Sequence, residues 1–251
     1  MQKGVSTTSQ GSCSAGMSVG DMFDRIAPTY DVLNHVLSLG IDRAWRRKVA
    51  KLLAHRDSAR VLDLATGTGD LLIAILRECN HAAEVVGLDV SEEMLKIGRR
   101  KVARHDRADR VRFVQGDAMK TSLPAASFDA VTMAFGIRNT PDVSGTLAEI
   151  HRLLTPGGTA AILEFSVPGN RLWRGLYLAY LRWAVPVIGA LVSGHRGAYR
   201  YLNTSIEGFH RPDAFCRLMA QAGFAQVAAT PLTWGVASLY TGLKAPPGAE
   251  T

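Results

Sequence analysis

The sequence predicts an α/β fold built on a Rossmann-like, doubly wound parallel sheet. Three observations lead there: short apolar strands alternate with helical patterns, a glycine-rich turn follows the first strand, and acids stand at three consecutive strand ends. With 251 residues, 47% of them hydrophobic, the chain has apolar material for a real core. Collagen, coiled coil and full-length disorder are excluded.

Residues 1–20 are Ser, Thr, Gly and Gln with almost no apolar run, so they lack the stretch a secretory signal needs and are expected to form a disordered arm. An early helix follows, with Arg46, Arg47, Lys48 and Lys51 read as a solvated face. Strands are expected at Arg60–Ala65, Glu84–Val90, Val111–Gln115, Phe128–Phe135 and Gly158–Phe165. Helices fill the gaps at Gly69–Cys79, Ser91–His105 and Pro141–Leu154, the second opening on Ser91 as N-cap with Glu92 and Glu93 in its first turn. The rhythm then breaks, and 167–210 is expected to be an inserted substrate cover. It resumes with a helix at Pro212–Ala222 and closing strands at Gln226–Pro231 and Val236–Lys244, before a loose tail at 245–251. One domain over 21–244 is the expectation.

Charge and cysteine usage narrow the class. Twenty-nine Lys and Arg against 22 Asp and Glu leave a net charge of +7, which suits an acidic ligand or an anionic membrane surface better than nucleic acid. Cys13, Cys79 and Cys216 are far apart and form no CxxC, so no disulfide framework and no metal site is expected, and a reducing cytoplasm is. The most apolar stretch, Trp183–Val192, is too short to span a bilayer and contains Pro186 and Gly189, so the chain reads as soluble or peripheral.

The first strand runs into Asp63-Leu64-Ala65-Thr66-Gly67-Thr68-Gly69-Asp70, a turn that can pass close to a ligand before a helix begins. Asp89 ends the second strand 20 residues after Gly69, the spacing at which an acid takes ribose hydroxyls, and Asp117 ends the third in Gln115-Gly116-Asp117-Ala118. Both a dinucleotide and S-adenosylmethionine fit this layout. A dinucleotide fingerprint, however, wants Gly or Ala where Leu72 stands. The Asp63 loop, the Gly-Asp-Ala turn and Leu154-Thr155-Pro156-Gly157-Gly158 resemble the class I S-adenosylmethionine-dependent methyltransferases.

Closer motifs stand before and after that core. They are Phe23-Asp24-Arg25-Ile26-Ala27-Pro28-Thr29-Tyr30-Asp31-Val32-Leu33-Asn34, then Leu37-Ser38-Leu39-Gly40-Ile41-Asp42 with Trp45-Arg46-Arg47, and His151-Arg152-Leu153-Leu154 running through Leu163-Glu164-Phe165-Ser166. Phe135-Gly136-Ile137-Arg138-Asn139, Tyr199-Arg200-Tyr201-Leu202 and Ala222-Gly223-Phe224 join them. Together these resemble the menaquinone and ubiquinone C-methyltransferase family over Phe23 to Lys244. The resemblance implies S-adenosylmethionine as cofactor, with contacts at Thr68, Asp89, Asp117 and Ala118; Asp63, Gly67 and Gly69 complete the candidate loop. Ala134 stands where the family usually has Ser, so only a backbone contact is expected there. Trp234 and Tyr240 replace the family's usual Gly and His.

The chemistry selects further residues. Methyl transfer to a ring carbon needs an electron-rich carbon held against a sulfonium methyl, so a quinol rather than a quinone is the expected substrate. Arg138, after the fourth strand, is expected to stabilise a phenolate without titrating, with Asn139 as orienter. Tyr30, Asp31 and Asn34 are candidates for closing over the methyl group; Asp31 is either a base or the N-cap of the next helix. Glu164 is either a base or an anchor for Arg138. His195 and His210 lie in the cover region and read as polar surface or a proton shuttle. Leu172 to Val192 mixes Trp173, Leu176, Tyr177, Tyr180, Leu181 and Trp183 with Arg171, Arg174 and Arg182, a face suited to a membrane interface or to ordinary packing.

The leading expectation is methylation of demethylmenaquinol to menaquinol at the inner face of the membrane, with a polyprenylated quinol as partner and a homodimer left open. The family equally implies 2-methoxy-6-polyprenyl-1,4-benzoquinol as substrate. A methyltransferase for another small molecule, a cofactor-binding scaffold of a quinone-synthesis complex, and an NAD oxidoreductase are the remaining readings.

Overall fold

A computed structural model describes residues 20, 24–25, 27–28, 31–32, 34–35, 38–54, 59–80, 82–187 and 196–246, the side chains of 196–200 excepted. Helical residues within 20–35 lead to α1 (Ile41–Leu53), which buries Trp45, Val49, Ala50 and Leu53 along one face. β1 (Arg60–Leu64), α2 (Asp70–Glu78), β2 (Glu84–Asp89), α3 (Glu92–Val102) and β3 (Val111–Gln115) form the first half. β4 (Phe128–Ala134), α4 (Val143–Leu153) and β5 (Leu154–Phe165) follow. The stretch expected as a cover holds α5 (Arg171–Ala179), a π-helical turn at Tyr180–Ala184 and α6 (Arg196–Gly208); α7 (Pro212–Gln221), β6 (Phe224–Leu232) and β7 (Ala237–Lys244) close the fold.

These strands make one seven-stranded sheet in the order β3-β2-β1-β4-β5-β7-β6. β7 runs antiparallel to both its neighbours, and the other pairings are parallel. The chain leaves β1 toward β2 and β3, then returns to place β4 on the other side of β1. That reversal opens a crevice at the carboxyl ends of β1 and β4, where ligands of doubly wound sheets bind. Strand alternation divides the core: Val61 and Val85 face α1 and α2, whereas Leu62, Leu64, Val86 and Leu88 face α4 and α7. A third cluster, Tyr177, Leu181, Val185 and Ile206, packs α5, the π-helical turn and α6 together.

Two local readings change. The Thr155-Pro156-Gly157-Gly158 turn expected before β5 is a bulge inside it: Leu154 already pairs with Phe128, the register shifts, and Gly157 takes φ 77°. Arg46 is not on a solvated face. It lies one helical turn after Asp42, is 6% exposed, pairs with that carboxylate and covers the Phe135 ring at 5.2 Å. Leu72, the residue at odds with a dinucleotide fingerprint, is fully buried, and Gly87 on β2 makes room for it: a Cβ there would stand 2.7 Å from Leu72 Cδ1. Among the described residues, no helix is long and apolar enough to cross a membrane.

Candidate functional site

The crevice is framed by two strained turns. Ala65 after β1 (φ 49°) and Phe135 after β4 (φ 59°) are both non-glycine residues in the left-handed region, a conformation that persists only where its surroundings enforce it. The two turns touch: a Cβ on Gly136 would lie 2.6 Å from Ala65 Cβ. Below them, the buried Asp63 carboxylate accepts a 2.7 Å hydrogen bond from each of the Thr66 and Thr132 hydroxyls, tying the loop to β1 and β4. Burial pushes the Asp63 carboxyl up to about 7, against the opposing effect of those two hydroxyls. Asp63 therefore shapes the loop from beneath.

Asp89 sits at the end of β2 with both oxygens held, Oδ2 by the Gly67 N–H at 2.7 Å and Oδ1 by the Ser91 N–H at 2.9 Å. Burial raises its carboxyl despite these donors. Ser91 caps α3 as expected, accepting from the Met94 N–H. Gly67 and Gly69 both adopt positive φ, at 56° and 79°. Asp117 is exposed and turns its carboxylate back to the Met119 N–H, with Ala118 half-buried beside it. Ala134 is the last residue of β4.

The N-terminal helical residues lie across this loop. Asp24 accepts from the Ser91 hydroxyl, and Asp31 accepts from the Thr68 hydroxyl and, at 2.7 Å, from Lys101 Nζ. Lys101 also pairs with Asp70 and donates to Thr68 Oγ1 at 3.2 Å. Asp31 is itself helical, so it is not the N-cap of the next helix, and its carboxylate is a latch onto the loop. His35, Ser38 and Arg46 converge on Asp42. Burial works against the Asp42 charge, yet Ser38, Arg46 and His35 outweigh it and hold the carboxyl below its ordinary value. His35, Asp42 and Asp70 are close enough to share a cation, but with Arg46 on Asp42 they read as an ion-pair network. Tyr30 and His195 lie outside the described residues.

On the other side of the crevice, Arg138 is 7% exposed and Glu164 fully buried. Arg138 Nη1 donates to Glu164 Oε1 at 2.7 Å and to the Phe135 carbonyl at 2.6 Å, and Glu164 also accepts from the Arg138 and Phe165 N–H groups. Glu164 is thus the anchor of Arg138. Asn139 donates to the Phe135 carbonyl and accepts from the Tyr201 hydroxyl at 3.2 Å. Trp45, Phe135 and Phe165 form an aromatic cluster with Phe135 and Phe165 centroids 4.5 Å apart. Arg138 stands over the Phe165 ring at 5.3 Å, opposite Arg46 over Phe135.

The structure therefore gathers Asp31, Asp63, Gly67, Thr68, Gly69 and Asp89 on one side of the crevice and Ala134, Arg138 and Asn139 on the other. His210 is exposed beside Phe209, away from these contacts. Thr132, Lys101, Arg46 and the Trp45, Phe135 and Phe165 cluster were not singled out for the site from the sequence. Thr132 lies beside Asp63 in the register of β1 and β4, a pairing that no local pattern in the sequence marks.

Residues 10–244 match the model of the ubiE/COQ5 methyltransferase family. A "Ubiquinone/menaquinone biosynthesis C-methyltransferase UbiE" of Geobacter sulfurreducens is 45% identical over 229 residues, 91% of this chain and 89% of the relative. A "Demethylmenaquinone methyltransferase" of Thermus thermophilus is 46% identical over 221 residues, 88% of this chain and 99% of the relative. A solved SAM-dependent methyltransferase from Aquifex aeolicus shares the fold at a TM-score of 0.57 and 18% identity, covering 79% of this chain and 89% of that one. Another from Thermotoga maritima gives a TM-score of 0.61 at 18% identity, covering 90% and 99%. The chain belongs to the ubiE/COQ5 methyltransferase family.

Proposed function

We propose that this chain transfers the methyl group of S-adenosylmethionine to a ring carbon of a polyprenylated quinol, converting demethylmenaquinol to menaquinol. The observation that carries the reading is the buried, Glu164-anchored guanidinium of Arg138 at the end of β4, across the strand ends from Asp89. The name of the Thermus thermophilus relative favours the naphthoquinol ring. The Geobacter sulfurreducens relative's name also covers ubiquinone, so 2-methoxy-6-polyprenyl-1,4-benzoquinol is the alternative substrate.

The loop fits a nucleoside with a cationic sulfonium. Asp24 and Asp89, with Asp31 and Asp70 sharing the single cation of Lys101, leave a net negative charge that attracts a cation and opposes a pyrophosphate. Asp89 would take the ribose hydroxyls, the backbone at Gly67, Gly69 and Ala134 would line the cofactor, and Asp117 with Ala118 would flank its base. The Thr68 hydroxyl is already engaged by Asp31 and Lys101, so Thr68 offers its backbone. When bound, the cofactor supplies an electrophilic methyl on a positively charged sulfur.

The protein's own part is positioning and charge. The Trp45, Phe135 and Phe165 rings provide an apolar wall for a flat aromatic substrate. Arg138 stabilises the phenolate that makes the adjacent carbon nucleophilic, and it stays charged through the reaction. Asn139, oriented by Tyr201 and the Phe135 carbonyl, fixes the ring beside it. Asp31 latches the N-terminal helical segment over the loop and excludes water from the transfer. The exposed Leu172, Leu176, Trp183 and Val187, edged by Arg171 and Arg182, form the face that meets an anionic bilayer holding the prenyl tail.

The test is product mass spectrometry with isotopically labelled S-adenosylmethionine and each quinol separately. Label on the naphthoquinol is the expected result. Label on the benzoquinol alone reassigns the substrate, and label on neither, with the cofactor shown to bind, refutes the reading in favour of another substrate or a scaffold.

A further inference from the structure

Tyr177 on α5 is 7% exposed, and its hydroxyl has no hydrogen-bond partner among the described residues. A buried hydroxyl without a partner is rare, because it has given up water for nothing in return. Its packing partners explain the ring: Leu181, Val185 and Ile206 enclose it with Phe165 against them. They do not explain the oxygen, which an apolar residue of the same shape would omit at no loss. Phe165, packed against this cluster, follows Glu164 in β5 and carries the Arg138 guanidinium over its ring at 5.3 Å. The orphan hydroxyl thus belongs to the cluster that packs on Phe165, the residue beside the Arg138–Glu164 ion pair.

A second orphan lies one helical turn earlier. Trp173 Nε1, also on α5, is buried without a partner among the described residues, and its ring packs edge-on against Trp234 at 5.3 Å. Residues four apart share a helix face, so α5 presents two unsatisfied donors in one row. Two such donors on one face of α5 point to a ligand with oxygen acceptors.

We propose that Tyr177 is a substrate-binding residue whose hydroxyl donates a hydrogen bond to a ring oxygen of the bound quinol, beside Arg138. This rests on the quinol reading above and deepens it by naming a second polar contact to the ring. Burial, with neighbouring Tyr180 and Glu164 acting in the same direction and Arg138 in the opposite one, pushes the phenol above its ordinary range, so it remains a neutral donor. A neutral donor beside a fixed cation suits an oxygen whose charge rises during the reaction.

The test is Tyr177→Phe in the full chain, assayed for quinol KM, for cofactor affinity and for thermal midpoint. The expected result is a quinol KM raised roughly tenfold, the scale of one buried hydrogen bond, with cofactor Kd unchanged. The thermal midpoint should equal or exceed that of the wild type, because an unsatisfied polar group has been removed. An unchanged KM overturns the proposal. So does a lowered midpoint, which would show the hydroxyl to be partnered within the protein. Wild-type protein that neither binds nor methylates a quinol defeats the substrate reading and this inference together, whereas normal wild-type turnover with an unaltered Tyr177→Phe defeats this inference alone.

Discussion

Removing the Glu164 carboxylate separates the structural from the chemical work at the end of β4. Glu164→Ala leaves the Arg138 guanidinium, 7% exposed in the wild type, with the Phe135 carbonyl and Ser205 hydroxyl as its acceptors among the described residues. An uncompensated charge in such a place costs about 3–5 kcal/mol, and two backbone donors, on Arg138 and Phe165, lose their acceptor as well. For a chain of this length that corresponds to a fall in thermal midpoint of roughly 6–20 °C. Glu164→Gln keeps one acceptor oxygen but loses the charge and turns its amide NH2 toward one of the donors that both Glu164 oxygens now accept, so its cost should approach that of Glu164→Ala. Replacing both partners, Glu164→Leu with Arg138→Met, should recover most of the stability while abolishing methyl transfer, because a well-packed apolar pair can match a buried ion pair. Urea unfolding of the three variants, each read alongside turnover, checks the series. A Glu164→Ala cost below about 1 kcal/mol, the value of an exposed pair, would refute the burial argument.

Other variants test other links. Because the folded state raises the Asp63 carboxyl to about 7, its contribution is fully present below the ordinary value of 3.8 and is lost as pH climbs toward 7, by at most about 4 kcal/mol. Wild type should therefore lose more stability between pH 5 and pH 8 than Asp63→Asn does in urea midpoints, and equal losses would contradict it. Gly136→Ala places a methyl 2.6 Å from Ala65 Cβ and 2.9 Å from Met133 Cε, so it should cost about 1–3 kcal/mol and weaken cofactor binding by calorimetry; Gly175→Ala, with open space around it, should be neutral or slightly stabilising. Leu176→Asp with Trp183→Asp, both at exposed positions, should leave the melting temperature within a degree or two and reduce cosedimentation with anionic vesicles severalfold; unchanged cosedimentation would remove this face from the membrane argument.

The strands and the glycine-rich turn were legible because each rests on local pattern: short apolar runs, turn residues at fixed places, and Ser91 followed by two acids. The crevice followed from strand order, since an α/β sheet binds at the ends where its winding reverses. What local pattern could not show is which polar side chains the tertiary fold would bury. Arg46 looked like one of four cations on a helix surface, but Asp42 one turn earlier and the Phe135 ring from β4 take it inward. Asp31 offered two readings, base or cap, and the structure gives a third because Lys101 reaches it from α3. The aromatic cluster joins Trp45, Phe135 and Phe165 from three distant elements, so no window of sequence contains it. Tyr177 read as one aromatic among several on an amphipathic stretch, and only its orphan hydroxyl distinguishes it.

The most direct test of the central claim is the redox dependence and position of methyl transfer. Under anaerobic conditions, the same demethylated naphthoquinone is offered fully reduced and fully oxidised with labelled S-adenosylmethionine, and the product is located by fragmentation. Label is expected on the ring carbon beside a hydroxyl, with the reduced form alone as substrate. Label on an oxygen, or equal transfer to the oxidised ring, would contradict it, because neither needs the electron-rich carbon that Arg138 is placed to create.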